Sequence, residues 1–360
     1  MKVSEKKETN YRIDKQKVCA VITAYNRKEL LLECLESLRG QTKPIEAIVV
    51  IDNDSKDGTP ELLYQNHYIS KLPQENFKEF QEQESKIRGL TDGREIAFYY
   101  VRMNKNIGAP GGNSEGMHRA YEKGFDWIWV MDDDTIPCAD SLEQLLSPNI
   151  AYEPYVGALV SVVHDVNGKI TYMNKQRNFD YTNGTMVYIQ DSEYKKQYSP
   201  IDINTFVSFL IKREIVKKVG YPNKDFFIHW DDVDYSLRIR QAGYSIMLIS
   251  KSVVLHKFVE MREQKQNKKQ IIKISELWKY YYAQRNCLYV LLHTNSNILY
   301  RFKFILKKIW YTMRSIISNL RYDHPLLRDY IELMAFIDGI RGRLGKNFDP
   351  RLFQERYKLQ

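Results

Sequence analysis

With 360 residues, of which 43% are hydrophobic, the chain is long enough for one large domain or two ordinary ones with a sizeable core. No stretch approaches the ~20 apolar residues of a membrane-spanning helix, and the charged residues 1–10 do not resemble a secretory signal. The four cysteines lack paired spacing, which favours reduced thiols in a cytosol over a disulfide or zinc framework.

Strands and helices are expected to alternate from residue 18 onward, after an N-terminal tail at residues 1–17. The predicted strands cover residues 18–23, 47–51, 96–101, 127–131, 156–163, 205–211 and 246–249. Helices are predicted at 28–39, 113–123 and 233–241, and the polar residues 66–94 are predicted to form a loop or a helical insertion. Short apolar runs that alternate with helices favour an α/β fold with a mostly parallel sheet.

The chain changes character after residue 256, and its formal net charge of +9 is concentrated there. Residues 1–256 carry 33 Lys and Arg against 36 Asp and Glu, whereas residues 257–360 carry 21 against 9. We therefore predict an α/β domain at 18–256, a basic linker at 257–274 and a helical region at 275–360. The basic excess predicts an anionic partner, with nucleic acid and an anionic membrane surface as the two candidates.

Three adjacent carboxylates, Asp132, Asp133 and Asp134, follow the apolar run at 127–131. Adjacent acids at a strand end repel one another unless a cation lies among them. Mg²⁺ and Mn²⁺ take oxygen ligands and commonly bind one or two carboxylates together with substrate phosphates. The triplet predicts a divalent metal that holds a diphosphate, and the alternative is a solvated acidic turn.

Further polar residues follow the other early strands or open the next helix. They are Thr23, Tyr25, Arg27, Asp52, Asn53, Asn106, Gly108 and Gly112. Ligands of open α/β sheets bind beyond the carboxyl ends of the strands, and glycines before a helix let backbone N–H groups approach a phosphate or a sugar. Each of these segments alone also fits an ordinary turn with a helix cap.

A second acidic group, Asp231 and Asp232, follows Trp230 and precedes the predicted helix 233–241. Acids at a helix start suit the helix dipole, and a partly buried carboxylate can also act as a general base. His256 follows the apolar residues 252–255. It is either a structural histidine or the additional metal ligand that the acidic triplet requires.

In their order along residues 18–256, these motifs resemble the family 2 glycosyltransferases, which have the GT-A fold. The resemblance rests on Val-Ile-Thr-Ala-Tyr-Asn-Arg27, the Asp52-Asn-Asp-Ser turn, the Asn-x-Gly segment, the Asp-x-Asp element and Asp-Asp-Val-Asp234. Residues 281–286, Tyr-Tyr-Ala-Gln-Arg-Asn, resemble a segment of bacterial polysaccharide glycosyltransferases. Met131-Asp-Asp-Asp134 with Trp230-Asp-Asp232 is most similar to galactofuranosyltransferases, with rhamnosyltransferases next.

The resemblance implies a GT-A domain with a mixed, mostly parallel sheet, followed by a helical C-terminal region. It implies an inverting, metal-dependent hexosyltransferase that moves galactofuranose from UDP-galactofuranose to a glycan or polyprenyl-diphosphate-linked acceptor in bacterial cell-surface polysaccharide synthesis. Mn²⁺ or Mg²⁺ would be held by Asp132, Asp134 and His256. Asp133 and the eight polar and glycine residues from Thr23 to Gly112 would bind the nucleotide-sugar, Trp230 and Asp231 would orient the acceptor, and Asp232 would be the base.

Residues 300–314 mix aromatic, aliphatic and basic side chains at helical spacing. They predict either a helix packed on the catalytic domain, with Lys and Arg reaching outward, or a helix lying at an anionic membrane interface. The lipid-linked acceptor that the resemblance implies favours the membrane. We therefore expect a cytoplasmic protein, peripheral on the inner face of the cell membrane, and leave homo-oligomerisation open.

Three alternative functions follow from the same features. The first is a rhamnosyltransferase using dTDP-rhamnose, and the second is a nucleotidyltransferase, which would release pyrophosphate from a nucleoside triphosphate. The third is a nucleic-acid-binding protein, suggested by the basic C-terminal region. This third function leaves the ordered carboxylate motifs unexplained, so no nucleic-acid partner is expected.

Overall fold

The computed structural model describes residues 16–74, 76–170, 175–257, 273–294, 297–349 and 353. The predicted tail at 1–17 and the predicted basic linker at 257–274 lie almost entirely outside these residues.

Twelve strands occupy the described part of the α/β region. They are β1 (Val18–Ala24), β2 (Ala47–Asp52), β3 (Phe80–Arg88), β4 (Glu95–Met103), β5 (Trp127–Asp132), β6 (Thr135–Pro137), β7 (Val156–His164), β8 (Arg177–Asp180), β9 (Thr185–Tyr188), β10 (Tyr198–Ile201), β11 (Phe209–Lys212) and β12 (Ser245–His256). The helices among them are α1 (Lys28–Arg39), α2 (Thr59–Gln65), α3 (Gly108–Glu122), α4 (Ser141–Leu146), α5 (Arg213–Val219) and α6 (Asp231–Gln241).

One mixed sheet, in the order β10-β12-β7-β11-β5-β1-β2-β4-β3, organises this region, and β6 pairs with β12. The strands β5, β1, β2 and β4 run parallel, as do β7 and β12. The remaining pairs are antiparallel. The pairing sets Thr23 beside Asp132 and Ala24 beside Asp52, so the polar ends of three strands meet at one edge of the sheet. The predicted mixed α/β sheet is confirmed.

Helices cover both faces of the sheet. On one face, α1 and α4 pack through Leu35 and Leu142 against strand residues that include Ile22. On the other, α3 and α5 pack through Met117 and Ile215. All seven residues of β1 are buried, which explains why the central strands appear in the sequence as continuous apolar runs rather than as alternating patterns.

The prediction for residues 66–94 was wrong in part, because residues 80–88 form the edge strand β3, antiparallel to β4. Most side chains of β3 are exposed or partly exposed, and many are charged. Charged residues protect an exposed sheet edge from pairing with other chains, but they also remove the apolar alternation by which a strand is recognised in a sequence. Helix α3 likewise begins at Gly108, earlier than the predicted start at residue 113.

The helical C-terminal region is confirmed as α7 (Leu277–Thr294), α8 (Ile298–Asn319) and α9 (Pro325–Arg341). Helix α7 packs on α9, and the Tyr281 hydroxyl donates to Asp338 at 2.6 Å. Across the described part of the chain, none of the helices combines the length and apolar character that crossing a bilayer requires. The exact boundary between the α/β region and these helices stays a prediction.

Candidate active site

A cavity of about 620 Å³ lies at the sheet edge where β1, β2 and β5 end. The predicted site residues that line it are Thr23, Tyr25, Arg27, Asn53, Asn106, Gly108, Asp132, Asp133, Asp134 and His256. They come from segments far apart in the chain, and the strand register brings them together. Their individual roles stay predictions.

Asp132, Asp134 and His256 form a cluster of ligand atoms. One carboxylate oxygen from each aspartate and one ring nitrogen of the histidine lie within 4.8 Å of one another. Strand β6 pairs with the end of β12 and sets His256 opposite Thr135, so the His256 Nε2 atom lies 3.1 Å from Asp134 Oδ1. Two hard carboxylates with one imidazole suit a divalent ion such as Mn²⁺, and the residues therefore fit the predicted metal.

Arg27 bridges the two following carboxylates. Its Nη1 atom lies 3.0 Å from Asp133 Oδ1 and 2.5 Å from Asp134 Oδ2. The Tyr25 backbone N–H donates to the other Asp133 oxygen at 3.1 Å. Asp133 is therefore directed toward the β1–α1 turn, where it fixes the backbone that presents Tyr25 and Arg27 to the cavity.

The pKa values of the three acids in this cluster are shifted in different directions. Burial raises the pKa of Asp132 to about 6, with a further contribution from the charge of Asp134. Burial raises the pKa of Asp133 to about 8, although Arg27 opposes it. Burial also acts on Asp134, but the hydrogen bond with His256 and the charge of Arg27 outweigh it and hold the pKa of Asp134 below its usual value. A divalent cation would favour the charged form of all three carboxylates.

Asp52 lies behind the cavity lining. Its Oδ2 atom accepts hydrogen bonds from the Tyr100 hydroxyl and from Arg102, each at 2.5 Å, and its Oδ1 atom accepts from the Ser55 backbone at 2.9 Å. The side chain is fully buried. Asp54, two residues later, lines the cavity instead, and the sequence did not distinguish the two. Nucleotide contact by Asp52 stays a prediction.

The glycine-rich segment allows α3 to approach its neighbours closely. Gly108 has a φ of +80°, and a Cβ atom there would lie 1.9 Å from the Phe227 carbonyl oxygen. A Cβ atom on Gly112 would lie 2.3 Å from the Thr23 Cγ2 atom. Asn53 donates to the Gly108 carbonyl at 2.9 Å, and the Asn106 side chain accepts from the Gly108 N–H at 2.7 Å. Gly108 therefore lies at the cavity, whereas Gly112 serves the packing of α3 on β1.

Asn53 also presents an acceptor for which the described residues supply no partner. Its Oδ1 atom is buried without a hydrogen bond among them, while its side-chain amide is engaged by Gly108. Buried polar atoms are nearly always paired. Because that oxygen is itself shielded from solvent, the missing partner alone does not indicate a ligand at this atom.

The second acidic group opens α6. Burial and the neighbouring Asp232 raise the pKa of Asp231 well above its usual value. Burial also raises the pKa of Asp232, against the Val233 N–H and the charge of Arg177. Neither acid is among the residues that line the cavity, although Asp132 is near enough to act electrostatically on both. Trp230 packs in an apolar cluster with residues of α7 rather than lining the cavity, and its predicted acceptor contact stays a prediction.

Sequence reasoning missed several residues that line the same cavity. These are Asp54, Lys105, Ala109, Phe227, Ile228, Trp278, Lys346 and Asp349. Lys346 pairs with Asp349 at 2.7 Å, and its ammonium lies 5.2 Å from the centre of the Phe227 ring. Three of the missed residues belong to the C-terminal region and follow no recognisable motif, so only the folded chain reveals that this region closes one side of the cavity.

Comparison with known proteins identifies relatives of this chain. Residues 19–220 match the sequence profile of glycosyl transferase family 2. The galactofuranosyltransferase GlfT1 of Mycolicibacterium smegmatis is 24% identical over 234 residues, which cover 63% of this chain and 66% of that protein. The chain thus spans just under two thirds of this relative's length.

Solved structures with the same fold include Staphylococcus aureus TarS 1–349 in complex with UDP. It has a TM-score of 0.53 at 14% identity and covers 91% of this chain and 82% of that one. GalNAc-T7 with UDP, GalNAc and Mn²⁺ has a TM-score of 0.50 at 17% identity, covering 67% of this chain and 43% of that one. Both are GT-A glycosyltransferases, and the predicted GT-A fold is confirmed.

Proposed function

The chain belongs to glycosyl transferase family 2, and from that premise we propose that it is an inverting, metal-dependent galactofuranosyltransferase. As a family member it is a glycosyltransferase that uses a nucleotide-sugar donor. The observation that carries the finer proposal is the convergence of Asp132, Asp134 and His256 on the cavity into which the β1 and β2 ends also project. That arrangement suits a diphosphate lying between a nucleotide site and an acceptor site.

Asp132, Asp134 and His256 would hold Mn²⁺ or Mg²⁺, which when bound neutralises the charge of the leaving diphosphate. Asn53, which lines the cavity, would contact the nucleoside. The N-terminus of α3, opened by Gly108, lies at the same cavity and is suited to an anionic group. Arg27 orients Asp134 through their contact at 2.5 Å.

Asp232 would act as the general base. The acceptor hydroxyl oxygen forms a bond to the anomeric carbon while the bond from that carbon to the diphosphate oxygen breaks on the opposite face. The hydroxyl proton passes to the Asp232 carboxylate, and a nucleoside diphosphate leaves. A raised pKa suits a carboxylate that takes up a proton near neutral pH.

Galactofuranose is the sugar we propose, with UDP-galactofuranose as its donor. The support is the similarity to GlfT1, a galactofuranosyltransferase, together with the Met131-Asp-Asp-Asp134 and Trp230-Asp-Asp232 motifs. As the acceptor we propose a glycan or a polyprenyl-diphosphate-linked glycan of cell-surface polysaccharide synthesis.

The deciding experiment is a screen of nucleotide-sugars for the release of nucleoside diphosphate, with and without Mn²⁺. We expect UDP from UDP-galactofuranose and no release after metal removal by EDTA. Release from dTDP-rhamnose alone would replace the sugar assignment by rhamnose. Undiminished turnover in demonstrably metal-free protein would refute metal dependence, and pyrophosphate release from a nucleoside triphosphate would indicate a nucleotidyltransferase.

We also propose that α8 docks on an anionic membrane surface, which would place the protein on the inner face of the cell membrane. Its outer face exposes apolar side chains, namely Leu299, Phe302, Leu306, Trp310, Met313 and Ile317. The basic residues Lys303, Lys307 and Arg314 are exposed beside them. An apolar face bordered by lysine and arginine is complementary to a leaflet with anionic headgroups, where a polyprenyl-linked acceptor would also be found.

A further inference from the structure

The loop that leads into Asp231 and Asp232 has an unusual backbone. Phe227, His229 and Trp230 have φ values of 66°, 66° and 71°. Residues other than glycine seldom adopt this left-handed region, and bulky ones least of all. Three such residues within four positions persist only when surrounding groups hold them there. The start of α6 therefore depends on whatever fixes residues 225–230.

Two adjacent residues of α7 hold this loop. The Asn286 side-chain amide donates to the carbonyl oxygens of Phe226, Ile228 and His229 at 3.1, 2.9 and 2.9 Å. The Arg285 guanidinium donates to the carbonyl oxygens of Asp225 and Phe226 at 3.3 and 3.1 Å.

The pair is itself fixed and fully buried. Arg285 Nε donates to Asn286 Oδ1 at 2.8 Å, and Arg285 Nη1 donates to the Gly345 carbonyl at 2.7 Å. Neither side chain is exposed to solvent. A guanidinium and an amide buried together are costly unless their donors are used, and here Arg285 Nη2 and the Asn286 amide nitrogen both donate to loop 225–230. The two residues end the segment 281–286 that the sequence analysis singled out.

The opposite side of the loop rests on the glycine-rich turn. Gly108 approaches the Phe227 carbonyl so closely that a Cβ atom would lie 1.9 Å away. Phe227 and Ile228 also line the cavity that contains the Asp132–Asp134–His256 cluster. The loop is thus held between the start of α3, next to the donor site, and the C-terminal helix α7.

We propose that Arg285 and Asn286 are positioning residues for sugar transfer, which act by fixing loop 225–230 and thereby the placement of Asp231 and Asp232. The proposal rests on the proposed function, in which Asp232 is the base. Since neither residue contacts the predicted metal ligands, the pair should affect the transfer step and leave donor binding intact. The C-terminal region is accordingly part of the catalytic apparatus rather than an appended module.

The test is Asn286→Ala, with Tyr281→Phe as the matched control. Tyr281 is buried five residues earlier on α7, and its hydroxyl bonds to Asp338 of α9 rather than to the loop. Phenylalanine keeps the ring that lies 5.5 Å from the Arg285 guanidinium and removes only the hydroxyl. We expect Asn286→Ala to lower kcat for transfer by on the order of 10–100-fold, with the Kd for UDP and Mn²⁺ unchanged within about 3-fold. Tyr281→Phe should retain wild-type kcat. Equal kcat losses in the two variants, or a loss in Asn286→Ala that is confined to UDP affinity, would overturn the proposal.

A second variant covers the case in which Asn286→Ala does not fold. Arg285→Lys keeps the charge and loses the planar fork that reaches several carbonyls at once. It should show the same separation of kcat from UDP affinity, and wild-type kcat in it would count against the role of Arg285.

Backbone hydrogen exchange supplies a readout that does not depend on activity. Exchange at residues 226–232 should become faster in Asn286→Ala and Arg285→Lys, but not in Tyr281→Phe. Unchanged exchange in the loop refutes the positioning role whatever the activity. Faster exchange in a protein whose wild-type form transfers no sugar would leave the loop contact established and the proposed function refuted.

Discussion

At the scale of single residues, the surroundings decide what each carboxylate can do. Asp52 is fully buried, and its carboxylate accepts hydrogen bonds from Arg102 and Tyr100, which tie β2 to β4. Burial and the neighbouring acids disfavour the charged form of Asp132, and a bound cation would favour it. Asp232 lies next to that group at a helix start, where one N–H of α6 contacts it. The same side chain is thus suited to a structural role, to metal binding or to proton transfer according to its neighbours.

Asp232→Asn keeps the shape of the proposed base and removes its ability to take a proton. We expect kcat for transfer to fall by ~10²-fold or more with donor binding close to wild type, measured by transfer kinetics and UDP titration. Asp234→Asn is the control, since Asp234 pairs with Arg238 at 2.9 Å. If Asp232→Asn transfers sugar at a near-normal rate, the base lies elsewhere, with Asp231 the next candidate.

Arg102→Met removes the cation that compensates Asp52. Because a buried charge that has lost its partner is strongly destabilising, the free energy of unfolding should fall by about 3–5 kcal/mol, as measured by urea denaturation. The control is Arg94→Met, which removes an ion pair with Asp92 at 3.2 Å from a largely exposed side chain and should cost about 0–1 kcal/mol. Equal small losses in both variants would show that Asp52 does not depend on Arg102.

At the scale of elements, the packing of a helix decides which part of it is available for function. Helix α3 brings its N-terminus to the cavity because glycines remove the side chains that would separate it from β1 and from loop 225–230. Helix α8, by contrast, packs loosely: few of its residues are buried, and its apolar face is exposed. Close packing in the first case and its absence in the second therefore indicate different functions.

Gly112→Ala should move α3 away from β1, because the new Cβ atom would meet Thr23 Cγ2 at 2.3 Å. Overpacking of this kind typically costs about 1–3 kcal/mol of stability, and the displaced helix should bind UDP more weakly, as measured by calorimetry. Gly40→Ala is the control, since its Cβ would meet nothing nearer than 3.5 Å. A wild-type UDP affinity in Gly112→Ala would contradict the positioning of the donor site by this contact.

Reversing the charge of Lys303 and Lys307 tests the membrane face of α8. Each basic residue near an anionic leaflet contributes ~1 kcal/mol. The double Lys→Glu variant loses two such contributions and adds two repulsive charges, so it should bind anionic liposomes at least ~30-fold more weakly, by co-sedimentation. Wild-type binding should decrease with salt. Activity on a lipid-linked acceptor should fall more than activity on a soluble analogue.

The matched control reverses Lys195 and Lys251, which are exposed on the α/β region, and should retain binding. Lys308 is left unchanged because it bonds to Gln284 of α7. Equal activity losses on both acceptors would show that the α8 lysines serve the fold or the active site. Concentration-dependent self-association without liposome binding would instead make this face a contact between copies of the chain.

At the scale of the whole molecule, acids gather at the sheet edge and basic residues in the C-terminal region. Residues 257–360 carry 21 Lys and Arg against 9 Asp and Glu, while the cavity wall contains four aspartates from residues 54–134. Trp278 and Lys346 connect the two regions by completing that wall. A helical region that closes the site would link the proposed membrane attachment to the proposed acceptor binding.

Ligand binding should stabilise the entire chain, since the metal–nucleotide complex binds the folded cavity and relieves repulsion among its acids. At a ligand concentration of about 100 times Kd, the free energy of unfolding should rise by about 2.7 kcal/mol, measured as a shift in Tm with Mn²⁺ and UDP. Asp134→Ala should lose this shift, measured against the metal-free Tm of the variant itself, because Asp134 also pairs with Arg27 and His256. A full shift in Asp134→Ala would exclude this residue as a ligand.

The sequence by itself determined the α/β class, the central strands and the acidic segments of the site. Residues 18–23 and 127–131 are apolar because both faces of their strands are buried, and this pattern is local and readable. The ends of parallel strands share one edge, so the sequence is enough to predict that Thr23 and Asp132 lie at the same edge, whereas their adjacency comes from the pairing of β1 with β5. A motif that occupies neighbouring positions in the chain needs no knowledge of long-range packing.

Only the tertiary structure decided which residues complete the site. His256 reaches Asp134 through the pairing of β6 with β12, across 122 residues. Asp52 and Asp54 differ because Arg102 and Tyr100, from another strand, hold the first at 2.5 Å behind the lining, whereas the second lies 3.4 Å from Arg102 and still lines the cavity. Arg285 and Asn286 are ordinary polar residues until α7 packs against loop 225–230. Each of these outcomes depends on contacts between distant segments, which the local hydrophobic periodicity of the sequence does not predict.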